Sequence, residues 1–394
     1  MPRNRSKTRQ DLLERPAPAA DIKAAIIVCL DFGDAGYEEG VEESVRLVES
    51  AGVTRHRVIG GRRQRPDSKF YAGVGKVEEI GKAAAELNAA CVVFNHELSP
   101  AQARNLEKEL QRRVLDRTDL ILEIFAQRAQ TSEGKLQVEL AQLERLSTRL
   151  VRGWTHLERQ AGGFGKTGGP GEKQLELDRR YIAKRVAVLK EKLEGLKKHR
   201  DVQRKARVKR EVLSISLVGY TNAGKSTLFN ALAHAKSYEA DKLFATLDTT
   251  SRRVWIPKVG NVVLSDTVGF IRDLPHGLVA AFRATLEETV RADLLLHVVD
   301  AASPARDEQA EEVDKVLAEI HADEAPRLVV WNKIDAAGLA EEAERDQYGR
   351  ISRVLLSART GAGLEQLRGA IAEFARERAA GRAPAPQAHP LHSH

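Results

Sequence analysis

One glycine-rich stretch near the middle of the chain constrains its fold more than any other: Gly219, Tyr220, Thr221, Asn222, Ala223, Gly224, Lys225 and Ser226, followed by Thr227. It fits G-x-x-x-x-G-K-[ST], the P-loop pattern. Residues 212–218 alternate through Leu213, Ile215 and Leu217, which predicts a buried strand, and 226–232 predict a helix start. Strand, glycine turn and helix in that order make a phosphate-binding corner. Glycines at 219 and 224 let the backbone turn its N–H groups toward phosphate oxygens, and the helix N-terminus adds a favourable dipole. Lys225 then reaches the β- and γ-phosphates, and the Ser226 hydroxyl is a Mg²⁺ ligand.

Three further motifs follow in a fixed order. An apolar strand over 262–265 delivers Asp266, Thr267, Val268 and Gly269, a D-x-x-G match. Its carboxylate is suited to hold Mg²⁺ through water, and the Gly269 N–H to sense the γ-phosphate. Strands over 294–300 and 328–331 lead to Asn332, Lys333, Ile334 and Asp335. A carboxylate at 335 accepts from guanine N1–H and N2–H₂, a donor pair that adenine lacks, and leaving the carboxylate, expected to be buried, unpaired is costly. Asn332 supports the base edge, the Lys333 stem covers the purine plane, and the Ala358 N–H in Ser357-Ala358-Arg359 donates to guanine O6. The set in order predicts a GTP site and GTP hydrolysis. The intervening segment Phe244, Ala245, Thr246, Leu247, Asp248 offers a switch hydroxyl, but Thr246, Thr249 and Thr250 all qualify chemically and spacing does not choose among them.

At 394 residues the chain is long enough for two or three domains. Net charge is +7, which fits a polyanionic partner. Cys29 and Cys91 sit in apolar runs and are expected as core thiols. The N-terminus has no apolar secretion segment, and no apolar run reaches membrane-spanning length. These features predict a cytoplasmic protein whose basic surface is compatible with weak peripheral membrane association.

Residues 1–20 and 378–394 are expected to be disordered. Residues 21–134 alternate strands (24–30, 53–59, 90–94, 113–115) with helices (38–50, 77–87, 100–110), which predicts a small parallel α/β domain. Gly73-Val-Gly-Lys76 resembles part of a P-loop but lacks its first glycine and its terminal hydroxyl. It is expected as a turn at a helix start. Arg62, Arg63, Arg65 and Lys69 make a basic loop, open either to RNA or to solvent.

Residues 135–210 read differently. Leu136, Leu140, Leu143, Leu146 and Leu150 form one apolar stripe; Ile182, Val186, Leu189, Leu193 and Leu196 form another. A glycine-rich loop, 161–171, separates them and cannot be helical. An antiparallel helical hairpin is the expected arrangement. Its second helix is strongly basic. Gly163, Phe164 and Lys166 in the loop, with Arg179 and Arg180, suit RNA through phosphate contact and stacking; a solvated face with a mobile tip is the alternative. The G domain is expected over 211–377.

The whole set resembles the HflX family of translational GTPases over about residues 22–376. The resemblance rests on GYTNAGKS, LFATLDTT, DTVGFI, NKID, SAR and the loop GGFGKTGGPGEKQLELDRR. It implies a TRAFAC-type P-loop G domain and Thr246 as the switch Mg²⁺ ligand. It also implies binding of the first two domains to the large ribosomal subunit and its ribosomal RNA, near the peptidyl-transferase centre. The GTP form is then expected to split stalled or hibernating 70S ribosomes, with the protein a monomer off the ribosome. The family's N-terminal domain is linked to ATP binding and RNA remodelling, but this chain has no Walker motif there. The residue after Gly269 is Phe270, where Ras-like enzymes place a water-orienting Gln. An apolar ring cannot polarise water, so slow intrinsic hydrolysis is expected. The missing group comes from ribosomal activation or from K⁺ held by Asn222; Asn222 bracing the loop is the other reading.

Overall fold

The computed structural model describes residues 23–33, 36–152, 170–208, 212–233, 243–275, 278–279 and 282–381. Among the described residues the chain divides into two units: residues 23–127 with Arg152, and residues 128–151 with 170–381. Residues 1–20, 382–394 and the glycine-rich loop up to 169, including Gly163, Phe164 and Lys166, lie outside the described residues; Pro170 and Gly171, expected in that loop, already belong to a helix (Pro170–Val208), and the expected disordered tail begins inside another (Leu364–Ala379).

The first unit is a four-stranded sheet in the order β2-β1-β3-β4, parallel throughout. The strands are β1 (Ala24–Asp31), β2 (Arg55–Arg62), β3 (Cys91–Phe94) and β4 (Arg113–Leu115). Helices α1 (Tyr37–Ser50), α2 (Val74–Leu87) and α3 (Pro100–Leu110) make the crossovers that parallel strands require. β1 and β3 are central and apolar at nearly every position, as strands covered on both faces must be. α3 starts on a capping box between Ser99 and Gln102 with Pro100 in its first turn. A further helix, α4 (Arg117–Arg128), follows β4; its Leu120, Ile121, Leu122, Ile124 and Phe125 are buried. That run is too continuously apolar to show a helical period. Both thiols are core groups, and burial pushes Cys29 up to about 11 and Cys91 to about 12.

The Gly73–Lys76 turn is internal structure. Lys76 Nζ donates to the Gly60 carbonyl (2.9 Å) and pairs with Glu79. Arg63 donates to the Ala72 carbonyl (2.5 Å), so this member of the basic loop is folded back onto its own turn. A side chain at Gly73 would collide with that guanidinium.

The second unit opens with α5 (Ser132–Arg152) and α6 (Pro170–Val208). Burial on α5 centres on Gln137, Val138, Leu140 and Ala141, while Leu146 is exposed, so only part of the expected leucine stripe is covered. On α6, Ile182 and Leu189 are buried. Arg185 pairs with Glu139 (2.6 Å) and Lys190 with Glu144 (2.8 Å). These two pairs advance in the same sense along both helices. Partners along an antiparallel seam advance in opposite senses, so these two pairs are not the seam of the expected hairpin. No helix among the described residues is long and apolar enough to cross a membrane.

The remainder is a seven-stranded sheet in the order β10-β11-β9-β8-β5-β7-β6. Its strands are β5 (Ser214–Gly219), β6 (Thr250–Ile256), β7 (Gly260–Asp266), β8 (Leu294–Asp300), β9 (Arg327–Asn332), β10 (Glu342–Arg345) and β11 (Ile351–Leu355). β5, β7, β8, β9 and β11 are parallel; β6 and β10 add antiparallel edges. The helices are α7 (Lys225–Ala233), α8 (Arg283–Val290), α9 (Arg306–Glu319), α10 (Ile334–Ala337) and α11 (Leu364–Ala379). The core is aliphatic: Ile215, Leu217, Leu228, Leu264, Leu296, Val298, Val330, Val354 and Ile371 interlock around Phe229. The P-loop, Asp266–Gly269, Asn332–Asp335 and Ser357–Arg359 each sit where a parallel strand ends, so the parallel order gathers them on one rim.

Candidate functional site

On that rim lies a cavity of about 500 Å³. Its lining runs from Thr221, Asn222, Gly224, Lys225, Ser226 and Thr227 through Phe244, Ala245, Thr246, Thr267 and Gly269 to Asn332, Lys333, Asp335, Ser357, Ala358 and Arg359. Motifs far apart in sequence therefore share one enclosure. The turn at its base requires glycine twice. At Gly219 a Cβ would strike the Val298 carbonyl, and at Gly224 (φ +90°) it would strike the Asn332 amide.

Lys225 is buried, and its ammonium donates to the carbonyls of Gly219 (3.0 Å) and Tyr220 (2.7 Å). Burial lowers its pKa to about 8, against the opposing pull of the Asp266 charge. Gly269 packs against the loop so closely that a Cβ would lie 3.0 Å from Lys225 Nζ. The D-x-x-G segment is stapled to the P-loop by backbone: Thr221 N–H donates to the Phe270 carbonyl (2.7 Å) and Phe270 N–H to the Gly219 carbonyl (3.1 Å). The Phe270 ring is fully buried. Position 270 thus anchors the loop instead of facing the cavity, a physical reason for an apolar residue there.

Three oxygens converge beside Lys225. Ser226 Oγ lies 2.9 Å from Thr246 Oγ1 and donates to Asp266 Oδ2 (2.7 Å); Thr246 Oγ1 donates to the same oxygen (3.0 Å). Of the three candidate switch hydroxyls, Thr246 is the one brought to Ser226 and Asp266. Asp266 Oδ1 is buried with no hydrogen-bond partner. Burial raises the Asp266 pKa, with the Ser226 hydrogen bond and the Lys225 charge opposing. Two hydroxyls and a carboxylate, one of whose oxygens is buried and orphaned, are a hard-oxygen set that suits Mg²⁺.

The base end is organised by Asn332. Its Nδ2 donates to the Ala223 carbonyl (2.9 Å), and its Oδ1 accepts from the Ala358 N–H (2.9 Å). The expected Ala358 donor to guanine O6 is thus engaged with Asn332, which bridges the P-loop and the 357–359 loop. Lys333 takes a left-handed backbone (φ 66°), and its ammonium pairs with Asp300 (2.7 Å). That anchor holds the lysine stem at the cavity wall; the predicted strand ended at Asp300, but nothing in its local sequence marked a role. Asp335 is exposed at the lip, not buried as the base-recognition argument assumed. Ser357 is buried and its Oγ accepts from Thr360 N–H (3.2 Å), which shapes the loop.

Other predicted nucleotide residues serve behind the wall. Ala223, Leu247, Val268 and Ile334 are core residues, and the Tyr220 hydroxyl accepts from Arg272 N–H (2.8 Å). Asp248 is not in the cavity lining; its carboxylate is turned to the start of α5, where it accepts from Thr131. Of the predicted RNA contacts, Arg180 is exposed and paired with Glu176 (2.6 Å), and Arg179 is half-buried.

The fold and cavity define a P-loop GTPase. The family models described as GTP-binding GTPase N-terminal, GTP-binding GTPase Middle Region and 50S ribosome-binding GTPase match residues 38–126, 128–207 and 214–333. The chain is 55% identical over 350 residues to the GTPase HflX of Escherichia coli K12, covering 89% of this chain and 82% of that one. It is 50% identical over 327 residues to the GTPase HflX of Magnetococcus marinus, covering 83% and 76%. A crystal structure of an SsGBP–GDP complex matches with TM-score 0.50 and 26% identity, over 91% of this chain and 99% of that one. The chain belongs to the HflX family of GTPases, and it is a GTP hydrolase.

Proposed function

We propose that this GTPase engages the large ribosomal subunit and its ribosomal RNA in the GTP form, and separates stalled or hibernating 70S ribosomes. Hydrolysis then releases it. The observation that carries the nucleotide-switch half is the Ser226–Thr246–Asp266 cluster, in which a switch hydroxyl reaches the metal-holding oxygens. The ribosomal half is supported by the 50S ribosome-binding family model and by exposed Lys184, Lys190, Lys192, Lys197 and Lys198 on α6. Gly163, Phe164, Lys166, Arg179 and Arg180 supply the RNA contacts.

Bound Mg²⁺ neutralises phosphate charge. Ser226 and Thr246 would hold it directly and Asp266 through water. Lys225 bridges the β- and γ-phosphates, and the Gly269 N–H registers the γ-phosphate. Phe270 cannot orient water, so turnover is slow alone and the ribosome accelerates it. The Asn222 side chain has no hydrogen bond to a described residue and lines the cavity, which favours a K⁺-holding role over loop bracing. Turnover in K⁺ should exceed turnover in Na⁺.

The test measures GTP hydrolysis with and without purified large subunits while light scattering follows 70S dissociation. Stimulation with GTP-dependent splitting supports the proposal. Stimulation without splitting points to assembly or surveillance on free subunits. No stimulation sinks the ribosomal reading.

A further inference from the structure

Asp248 lies two residues after Thr246, and its carboxylate turns away from the nucleotide cavity. Oδ2 accepts from the backbone N–H groups of Gln130 (2.8 Å) and Thr131 (2.9 Å), and Oδ1 from the Thr131 hydroxyl (2.6 Å). Thr131 is also the cap of α5: its Oγ1 accepts from Gly134 N–H (2.9 Å), and its carbonyl from Lys135 N–H (3.1 Å). The carboxylate therefore satisfies N–H groups left open at a helix start and sits at the positive end of the α5 dipole. Gly134 is buried in the first turn of α5, where glycine is a poor helix former. A Cβ there would collide with Asp248 Oδ1. The helix tolerates a weak residue at the one place that leaves room for the carboxylate.

The intervening chain is short and pinned. Leu247 and Phe244 are buried, so the segment cannot swivel freely about either end. On one side of Leu247, Thr246 meets Ser226 and Asp266; on the other, Asp248 meets Thr131. All of these residues lie in one compact unit.

We propose that Asp248 is a positioning residue: seated on the start of α5, it holds the switch segment so that Thr246 reaches the metal position, coupling the α5–α6 arm to the nucleotide state. The coupling is reciprocal. Mg²⁺–GTP that captures Thr246 tightens the α5 seat, and a ligand that fixes α5 favours GTP over GDP. This inference rests on Thr246 as the Mg²⁺ ligand and is independent of which partner the arm binds.

The experiment compares binding of Mg²⁺-GMPPNP and GDP, by fluorescent analogues, to the full chain and to Asp248→Asn, Thr131→Val and Gly134→Ala. Asp248→Asn should weaken GMPPNP about ten-fold and leave GDP within about two-fold, the low end of coupling seen between linked sites. Gly134→Ala adds helix propensity, which offsets the cap contacts it displaces, so the melting temperature should change little while GMPPNP binding weakens. A merely structural role would move them together. Hydrogen exchange on the wild-type chain gives a readout that needs no variant: the Gln130 and Thr131 amides should exchange more slowly with Mg²⁺-GMPPNP than with GDP. Equal exchange in the two states, or equal loss of both nucleotides in all three variants, overturns the proposal. If wild-type GMPPNP binding shows no Mg²⁺ dependence, the Thr246 assignment itself fails, and that failure is distinct from loss of the α5 coupling alone.

Discussion

Replacing Asn332 with Ala isolates the polar bridge that joins two ends of the guanine site. The side chain donates to the Ala223 carbonyl and accepts from the Ala358 N–H, both at 2.9 Å and both buried. Truncation orphans one buried acceptor and one buried donor. Each costs about 1–3 kcal/mol when left unsatisfied, so roughly 2–6 kcal/mol is lost from the organised site. At 1.4 kcal/mol per decade, that bounds the loss of nucleotide affinity at about 10⁴-fold, the part of the cost not felt on binding falling on the stability of the free chain. The loss should fall on GDP and GMPPNP alike, because Asn332 lies away from the Ser226–Thr246–Asp266 oxygens. Asn332→Asp should fall between the two: one carboxylate oxygen still accepts from Ala358, but the donor to Ala223 is gone. Equilibrium titration with both nucleotides decides the matter. A change in GDP affinity below about three-fold, or a loss confined to GMPPNP, would refute the bridging argument.

Further outcomes follow from the same geometry. Lys225 titrates near 8 in the folded, nucleotide-free chain against 10.5 ordinarily, so the unfolded chain holds more protons between those values. Nucleotide-free stability should therefore rise with pH through that window, as pH-dependent chemical denaturation would register. Phosphate restores the lysine charge, so GDP binding at pH 9 should take up nearly one proton, measured calorimetrically in buffers of different ionisation enthalpy. Asp335→Asn should exchange the guanine preference for xanthine by roughly a hundred-fold, since an amide can donate to the xanthine 2-oxygen; paired GDP and XDP titrations check it. Phe270→Gln should not speed single-turnover hydrolysis, because that side chain is buried against the P-loop and away from the cavity. It should instead cost about 2–4 kcal/mol of stability in a denaturant titration.

The strands and helices carrying the motifs were legible because their cues are local. Alternating Leu213, Ile215 and Leu217 before a glycine turn specify a strand entering a P-loop. Four-residue motifs at strand ends named most of the cavity lining, since the chemistry of phosphate and guanine demands particular side chains. What was not legible depends on partners remote in sequence. Helix α4 was missed because Leu120, Ile121, Leu122, Ile124 and Phe125 are covered on nearly all sides, which erases the helical period. The role of Asp300 needed β8 and β9 side by side to set it 2.7 Å from Lys333 Nζ. Ala358 was assigned to the base because the motif does not say that Asn332 already holds its N–H.

The sequence by itself determined the chemical inventory and the order of elements: a phosphate loop, hydroxyl and carboxylate donors for Mg²⁺, a guanine-reading carboxylate, and basic helices. Residue type and near-neighbour spacing suffice for that. Tertiary structure alone decided how the inventory is shared. Among three plausible switch hydroxyls it brought Thr246 to Ser226 and Asp266, and it turned Asp248 from the nucleotide to Thr131, more than a hundred positions earlier. The reason is that hydrogen bonding acts over about 3 Å in space, whatever the separation along the chain. Only the packed sheet and helices bring those atoms within that reach.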